Sequence, residues 1–240
     1  MKKINNWIWK DFDSVTSTND EAISFVGKLG QNCIISAKTQ TNGRGRRSRI
    51  WVSEEGNLYA SFAFKIELND LSKIVILSAV ATYRTIKNFI SNHKIQIKWP
   101  NDILVNNEKI SGILFERADD NFWIMGLGIN IVSNPSLNDV NYRATNLKKL
   151  GVNVTRTQVL EKFVDVFDEL LAQYRNFGFE KIKKTWLDNA FNLGNAVTIK
   201  QEKQIIEGTF LTIDDNGSLI LKSDNKIKKI IVGDLFTNKG

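Results

Sequence analysis

The sequence predicts an α+β fold over residues 1–190, followed by a small all-β module over residues 191–240. Helical and strand patterns alternate along the first 190 residues, whereas short strand patterns alone fill the remainder. The chain has 240 residues, of which 42% are hydrophobic and 25% are charged. These values are typical of a globular protein with a substantial core, and they exclude a disordered chain.

The first predicted helix begins near Ser17 and Thr18. Thr18 stands three residues before Glu21, which is the spacing of a capping box, and an apolar stripe at helical spacing follows it. Gly30 is a suitable stop because glycine readily adopts the left-handed conformation that ends helices. Two strands follow at 33–37 and 57–66, the second of which is apolar on both faces.

The central part of the sequence predicts a long helix and then a group of strands. Residues 70–90 are rich in aliphatic residues behind a possible cap at Asp70 or Ser72. Asn106 and Asn107 are typical of a hairpin turn between two of the strands. The predicted strands are 95–99, 103–105, 110–116 and 122–132.

The C-terminal part begins with two more predicted helices, at 154–177 and 180–189, the first with apolar positions spaced by three and four. Strands are then predicted at 196–200, 205–213, 218–221 and 227–232. Asp214 to Gly217 indicates a hairpin turn between two of them. These short strands predict a small barrel-like module.

The net charge of +7 is concentrated in one segment. Residues 42–51 contain four arginines and no acidic residue, and the rest of the chain is nearly balanced. A distributed basic surface, as on a protein that wraps DNA, is therefore not indicated. The arginines Arg44, Arg46, Arg47 and Arg49 accompany Gly43 and Gly45, so the segment is either a solvated or nucleic-acid-binding loop, or a loop that closes over an anionic ligand.

Several classes of site are excluded by what the sequence lacks. The single histidine, His93, rules out HExxH zinc sites, and no P-loop or GxSxG motif is present. The single cysteine, Cys33, cannot form an internal disulfide and is expected to be a buried small hydrophobe. With no apolar run near 20 residues and no signal peptide, the sequence predicts a cytoplasmic protein without a membrane span.

Three further motifs each allow a structural and a functional interpretation. In KWPND, Asp102 is either a local cap in a rigid turn or a magnesium ligand. Lys109 opens an apolar strand, where it either extends to solvent or meets an anion. The segment Gly126 to Ile131 lacks the third glycine of a dinucleotide fingerprint, so its glycines instead suggest that a ligand or another backbone passes close by.

Taken in order, these motifs resemble the biotin protein ligases. The resemblance covers residues 14 to 131 and comprises STN at 17–19, QTNGRGRRSRIW, GNLYASF, KWPND, KISGILFE and GLGIN, with the C-terminal Gly233-Asp234-Leu235 also in place. It implies a mixed sheet with helices on one side, similar to class II synthetases, and a C-terminal SH3-like β-barrel. It further implies that ATP and Mg²⁺ convert biotin to biotinyl-5′-AMP, after which biotin passes to a lysine of the biotin carboxyl carrier protein of acetyl-CoA carboxylase.

The resemblance also implies roles for individual residues. Contacts to biotin would come from Ser17, Thr18, Gln40, Gly43, Arg44, Gly45, Arg46, Lys109, Gly112 and Gly128. Contacts to the nucleotide would come from Arg46, Arg47, Arg49, Trp51, Asn101, Asp102 and Asn130. Arg46 and Lys109 would be catalytic because charge develops on the phosphoryl group, and Asp102 would hold the metal ion.

The sequence departs from the family pattern at Ser48, where the loop commonly has glycine, so loop closure could be slower. The STN motif begins 16 residues into the chain, too early for the DNA-binding region of about 60 residues that some members carry, so a ligase without repressor function and without nucleic acid is expected. A lipoate ligase and an arginine-dependent nucleic-acid-binding protein stay open as alternatives. Either a monomer or a homodimer fits the sequence.

Overall fold

A computed structural model describes residues 2–119, 122–136, 142–224 and 226–237. The first eight strands form one sheet in the order β1-β2-β3-β4-β8-β7-β6-β5. Only β2 and β3 run parallel among its neighbouring pairs, so the sheet is mixed. The strands are β1 Lys2–Ile4, β2 Trp7–Val15, β3 Cys33–Gln40, β4 Leu58–Lys65, β5 Ile95–Lys98, β6 Asp102–Val105, β7 Glu108–Arg117 and β8 Phe122–Ile129.

The strands β4 and β8 form the centre of this sheet. β4 pairs with both β3 and β8, and β8 pairs with both β4 and β7. Alternate residues of β4 therefore point to opposite faces, with Phe62 among the main core residues and Ala63 in a second apolar cluster. The predicted strand covered on both sides is confirmed, and the central position of β8 leaves it no free edge.

Among the described residues, four α-helices accompany the sheet: α1 Thr18–Leu29, α2 Leu71–Phe89, α3 Arg156–Phe177 and α4 Glu180–Asp188. The last three pack on one face around an aromatic cluster that includes Phe62, Phe163 and Phe167. Helix α3 begins at a capping box formed by Thr155 and Gln158. The predicted α+β fold with a mixed sheet is confirmed.

Helix α1 packs on the opposite face of the sheet from the other three helices, whereas all the helices were expected on one side. Its Ala22 and Val26 pack with Cys33, Ile35 and other residues of the opposite face, because these side chains alternate with those that meet α2 and α3. Helix α1 covers only part of that face, and a cavity opens beside it. Cys33 is fully buried, and its burial raises the pKa of the thiol to about 12.

The capping box predicted at Thr18 and Glu21 is wrong. The N-cap is Ser17, which makes no side-chain cap bond, and the Thr18 hydroxyl instead donates to Gln40 of β3. The predicted stop at Gly30 is confirmed, with φ 60° and a backbone hydrogen bond to Val26. The N-terminal strands β1 and β2 were not predicted.

A second sheet of five antiparallel strands follows in the order β12-β11-β10-β9-β13. Its strands are β9 Ala196–Lys200, β10 Ile205–Ile213, β11 Leu219–Ser223, β12 Lys226–Ile230 and β13 Asp234–Phe236. The predicted turn at Asp214 joins β10 to β11, and its carboxylate accepts the backbone N–H groups of Asn216 and Ser218. Trp186 of α4 packs edge-on against Phe210, with ring centroids 6.2 Å apart, and so connects this sheet to the helices.

Within the described residues, no helix combines the length and the apolar character that a membrane crossing requires.

Candidate active site

A cavity of about 360 Å³ opens on the sheet face that carries α1. It lies between α1, the ends of β6, β7 and β8, and the arginine-rich loop formed by residues 42–51. Thirteen of the residues that sequence reasoning selected line it. They are Ser17, Thr18, Gln40, Arg44, Gly45, Arg46, Arg49, Trp51, Asn101, Asp102, Lys109, Gly112 and Gly128.

One end of the cavity is a buried polar group at the start of α1. The backbone N–H of Thr18 donates to Gln40 Oε1 over 2.8 Å, and its hydroxyl donates to the same oxygen over 3.0 Å. Ser61 of β4 donates to the Thr18 hydroxyl over 2.7 Å, and Gln40 Nε2 donates to Ser53. These bonds fix both donors and acceptors at the cavity wall, which is the arrangement that orients a polar ligand group.

The opposing wall is made of glycines on β7 and β8, covered by the indole of Trp51. A Cβ atom at Gly128 would lie 2.5 Å from two indole carbons of Trp51, and a Cβ at Gly112 would lie 3.0 Å from Cζ3. Only glycine therefore permits a flat ring to lie against these strands. Trp51 was expected near an adenine; in this structure it lies against the two glycines, and its Nε1 has no hydrogen-bond partner among the described residues.

Gly128→Ala should lower the free energy of unfolding by about 1–3 kcal/mol, because the indole has to move away from the new methyl group. The same change should shift the fluorescence of Trp51 as its surroundings change. Chemical denaturation of the full chain measures the first effect. Gly27→Ala on α1 is the matched control, since nothing lies within 4 Å of a Cβ there and alanine should stabilise the helix by roughly 0.5–1 kcal/mol. Equal stability changes in the two variants would contradict the packing described.

Lys109 projects into the cavity between two rings and a carboxylate. Its Nζ lies 2.8 Å from Asp102 Oδ1, 5.2 Å from the Trp51 ring centroid and 5.1 Å from that of Tyr142. The Lys109 side chain is 17% exposed, so the ammonium group is held in place rather than extending to solvent. The functional interpretation of Lys109 as a cation facing a ligand is therefore favoured by the geometry.

Arg44 is fixed by acidic residues on both sides of the cavity entrance. Its guanidinium donates to both oxygens of Glu116, over 3.0 and 2.9 Å, and to both oxygens of Asp20, over 3.0 and 2.6 Å. It also donates to Ser17 Oγ. These bidentate pairs tie the beginning of the arginine-rich loop to α1 and β7, so Arg44 has a structural role in addition to any ligand contact.

The other three arginines of the loop converge on Asp234 of β13. Arg46 Nη1 lies 3.2 Å and Arg47 Nη1 3.5 Å from this carboxylate, and Arg49 Nη2 donates to it as well. Arg46 Nη2 also donates to the carbonyl oxygen of Gly233 over 3.1 Å. Burial lowers the pKa of Arg46, an effect that Asp234 opposes. The loop is therefore held at one end by the first sheet and at the other by the second.

The backbone of this loop is strained at Arg47 and Ser48, whose φ angles are 54° and 56°. Glycine adopts this left-handed region without cost, whereas other residues pay about 1–2 kcal/mol. The position of Ser48 is thus one where glycine suits the observed conformation.

Ser48→Gly should leave the free energy of unfolding unchanged or raise it by up to about 1 kcal/mol, because relief of strain outweighs the added freedom of the unfolded chain. Thermal unfolding measures this. Ser91→Gly is the control, since Ser91 is not in the left-handed region and glycine there should be neutral or destabilising. A Ser48→Gly protein less stable than the Ser91→Gly protein would contradict the strain argument.

Three of the selected residues do not line the cavity. The backbone of Gly43 accepts from Trp51 N and packs within the loop, and Arg47 faces a neighbouring groove beside residues 201–204. Asn130 is buried and donates from its amide to the carbonyl oxygen of Thr145 over 3.0 Å. Asn130 therefore holds the end of β8 to the segment around residue 145.

Four polar residues in or beside the cavity wall make or adjoin its contacts although no role was assigned to them from sequence; they are Asn19, Glu116, Tyr142 and Asp234. Asn19 and Glu116 lie inside motifs that were recognised, and Asn19 Nδ2 donates to Glu116 Oε2 over 2.6 Å. Asp234 follows Gly233 in a segment that was noted only for its position. Tyr142, whose burial raises the pKa of its hydroxyl, had no sequence pattern that could have identified it.

The donor set for a metal ion is sparse. No group of three or more His, Cys, Asp or Glu side chains is arranged for a metal within the described parts of the chain. Asp102 is 20% exposed in the cavity wall and already pairs with Lys109 through one oxygen. One carboxylate is nevertheless enough for Mg²⁺ when phosphate oxygens complete its coordination.

Two family models match the sequence. One, described as "Biotin/lipoate A/B protein ligase family", matches residues 9–134, and the other, described as "Biotin protein ligase C terminal domain", matches residues 193–236. The range 9–134 includes every residue that lines the cavity except Tyr142 and Asp234. The second contains the five-stranded sheet with Asp234.

Among curated relatives, the bifunctional ligase/repressor BirA of Bacillus subtilis is 34% identical over 237 residues, covering 93% of this chain and 72% of the relative. The biotin--[acetyl-CoA-carboxylase] ligase of Paracoccus denitrificans is 29% identical over 231 residues, covering 92% and 96%. Among solved structures, biotin protein ligase from Aquifex aeolicus in complex with biotin and ATP has a TM-score of 0.83 and 26% identity, covering 95% of this chain and 97% of that one.

Proposed function

The chain belongs to the biotin/lipoate A/B protein ligase family, and from this premise we propose that it activates biotin with ATP and transfers it to a lysine of a carrier protein. The product of the first step is biotinyl-5′-AMP. The observation that carries the proposal is the two-part cavity, in which a glycine-lined slot ending at Thr18 and Gln40 adjoins a cationic end with Lys109 and Arg46. Biotin has the matching form, a compact ring with a polar ureido group and a chain that ends in a carboxylate.

The match of residues 193–236 to the C-terminal domain of biotin protein ligases favours biotin over lipoate as the acyl substrate. We further propose that the chain divides into a catalytic unit over 1–190 and a β unit over 191–240, a division supported by the start of the second sheet at Ala196. The lone, buried Cys33 supports a cytoplasmic location.

In the first half-reaction a biotin carboxylate oxygen attacks the α-phosphorus of ATP, and the bond to pyrophosphate breaks. Lys109 has three N–H donors, of which one meets Asp102, so two are available for the carboxylate and the α-phosphate. Such a cation brings two anions together and stabilises the charge that develops between them. We assign the same role to Arg46 at the phosphate.

In the second half-reaction the neutral amine of the carrier lysine attacks the acyl carbon of the mixed anhydride. The amine loses a proton, the bond to the phosphate oxygen breaks, and AMP leaves. Cations at the phosphate stabilise this leaving group, so neither step needs a nucleophilic side chain. The single histidine, His93, lies outside the cavity and is hydrogen-bonded to Asn106, so it is not placed to act as a nucleophile.

The remaining roles are proposals, supported by a place in the cavity wall for every residue except Gly43, Arg47 and Asn130. Biotin contacts are assigned to Ser17, Thr18, Gln40, Gly43, Arg44, Gly45, Gly112 and Gly128, and nucleotide contacts to Arg47, Arg49, Trp51, Asn101, Asp102 and Asn130. Asp102 would hold Mg²⁺, which would supply charge neutralisation at the phosphates.

Incubation of the chain with biotin, radiolabelled ATP, Mg²⁺ and the biotin carboxyl carrier domain of acetyl-CoA carboxylase tests the proposal. Labelled biotinyl-AMP should form without the carrier, and biotinylated carrier should appear when it is added. Lipoate in place of biotin is the matched control and should give little product. Absence of both biotin products would refute the proposal, and faster turnover of lipoate would favour the lipoate ligase.

A nucleic-acid-binding protein is the alternative from a different class. Such a protein would bind duplex DNA at low salt with an affinity that falls steeply as salt rises. We expect no such binding, since the excess positive charge is confined to one loop and Arg44 of that loop is paired with Asp20 and Glu116. A mobility-shift titration over a range of salt concentrations measures it.

A further inference from the structure

The carboxylate of Asp234 is held rigidly beside the arginine-rich loop. Asp234 is the first residue of β13 and pairs with Lys200 of β9. Gly233, which precedes it, lies so close to β9 that a Cβ there would be 2.7 Å from Ile199 Cγ2. The side chain of Asp234 is 11% exposed. The sheet therefore presents this carboxylate at a fixed point.

The donors of Arg46 are largely taken up by internal oxygens. Nη1 reaches Asp234 over 3.2 Å and Asn101 Oδ1 over 3.4 Å, and Nη2 reaches the carbonyl oxygen of Gly233 over 3.1 Å. Arg49 donates to the second oxygen of the same carboxylate. A phosphate can gain the donors of Arg46 and Arg49 that meet Asp234 only if this carboxylate is displaced, because each N–H forms one strong bond.

Carboxylate and phosphate oxygens offer guanidinium groups the same kind of bidentate acceptor. We propose that Asp234 is a positioning residue that occupies the anion site of Arg46, Arg47 and Arg49, and that a polyphosphate displaces it. The choice of polyphosphate as the ligand rests on the proposed function. The exchange of one anion for another keeps the arginines paired in both states.

The loop has the features that such an exchange requires. Arg47 and Ser48 are in the left-handed region, so the loop is held in a strained form while Asp234 is bound. Arg44 is anchored separately by Asp20 and Glu116, so the beginning of the loop stays in place. Release of Asp234 therefore frees only the part of the loop after Arg44.

Removal of the competing carboxylate should strengthen the binding of inorganic pyrophosphate. For Asp234→Asn, which keeps the size of the side chain, we expect the dissociation constant to fall by about tenfold. Asp224→Asn is the matched control, since Asp224 directly follows β11 of the same sheet but pairs with Lys228 and should leave binding unchanged. Calorimetric titration of the full chain at constant ionic strength measures both. Unchanged or weaker binding by the Asp234→Asn protein would overturn the inference.

Limited digestion by trypsin, which cleaves after arginine, gives a second measurement. Without ligand, the loop of the Asp234→Asn protein should be cut at least threefold faster than that of the unmodified chain, and pyrophosphate should protect it again. Asp234→Ser provides the same test should the asparagine variant not fold. Equal cleavage rates would overturn the inference. Neither measurement needs biotin, so a chain that shows this exchange but makes no biotinyl-AMP would contradict the proposed function alone.

Discussion

Lys109→Ala should reduce the rate of biotinyl-AMP formation by about 10²–10³-fold, the usual loss when one donor that stabilises developing charge is removed. The ammonium group is the cation that faces the cavity from β7, and Trp51, Tyr142 and Asp102 hold it in place. Alanine removes the charge at the point where the carboxylate and the α-phosphate have to meet. The other cations that line the cavity, Arg44, Arg46 and Arg49, belong to the loop and cannot take this position.

Single-turnover kinetics with saturating biotin and ATP measures this effect. The fold should be retained, because the backbone of Lys109 keeps its bonds to Arg143 and Thr145 whatever the side chain. Thermal unfolding checks this, and Lys148→Ala, on an exposed lysine outside the cavity, is the matched control. A rate within threefold of that of the unmodified chain would show that Lys109 is not the catalytic cation.

Arg46→Ala should speed the release of biotinyl-AMP by roughly 30–100-fold. A charge-assisted hydrogen-bond pair contributes about 2–3 kcal/mol, and each 1.4 kcal/mol is a factor of ten. Arg46 is the most enclosed of the three loop arginines at Asp234, with a side chain 22% exposed. When biotinyl-AMP is bound, the guanidinium N–H groups of Arg46 would donate to its phosphate. Loss of Arg46 therefore removes both the phosphate contact and one link between the loop and the second sheet.

The dissociation rate can be followed by trapping released biotinyl-AMP after a single turnover without carrier. Arg84→Ala is the matched control, because Arg84 forms a bidentate pair with Glu169 on the helical face of the sheet. That variant should retain the intermediate normally. Retention by the Arg46→Ala protein equal to that of the control would remove Arg46 from the proposed phosphate site.

The sequence predicted most of the fold because periodicity is a local property. Helices α2 and α3 and strands β4, β9 and β10 have apolar residues at the spacing of their structure, and their predicted limits agree with the observed ones to within two residues. Strand β2 was missed because Lys10, Asp11 and Asp13 give it an exposed, polar half without alternation. Its pairing with β3 depends on tertiary contacts rather than on its own pattern.

The site was predictable as a set of residues but not as a network. The motifs identified thirteen residues that line the cavity. They did not show which residues pair with one another, such as Arg44 with Glu116 or Arg46 with Asp234. Glu116 lies 72 residues from Arg44, and Asp234 lies 188 residues from Arg46. No periodicity spans such distances, so pairing between a loop and a remote strand is visible only in three dimensions.

The separation between Arg46 and Asp234 also has a consequence for synthesis of the chain. Ribosomes add about 5–20 residues per second, so the loop arginines precede their carboxylate partner by roughly 10–40 seconds. During that interval Arg46, Arg47 and Arg49 lack the counter-charge that the second sheet provides. The nascent chain therefore carries a basic cluster without its partner in a polyanion-rich environment until β13 has been made.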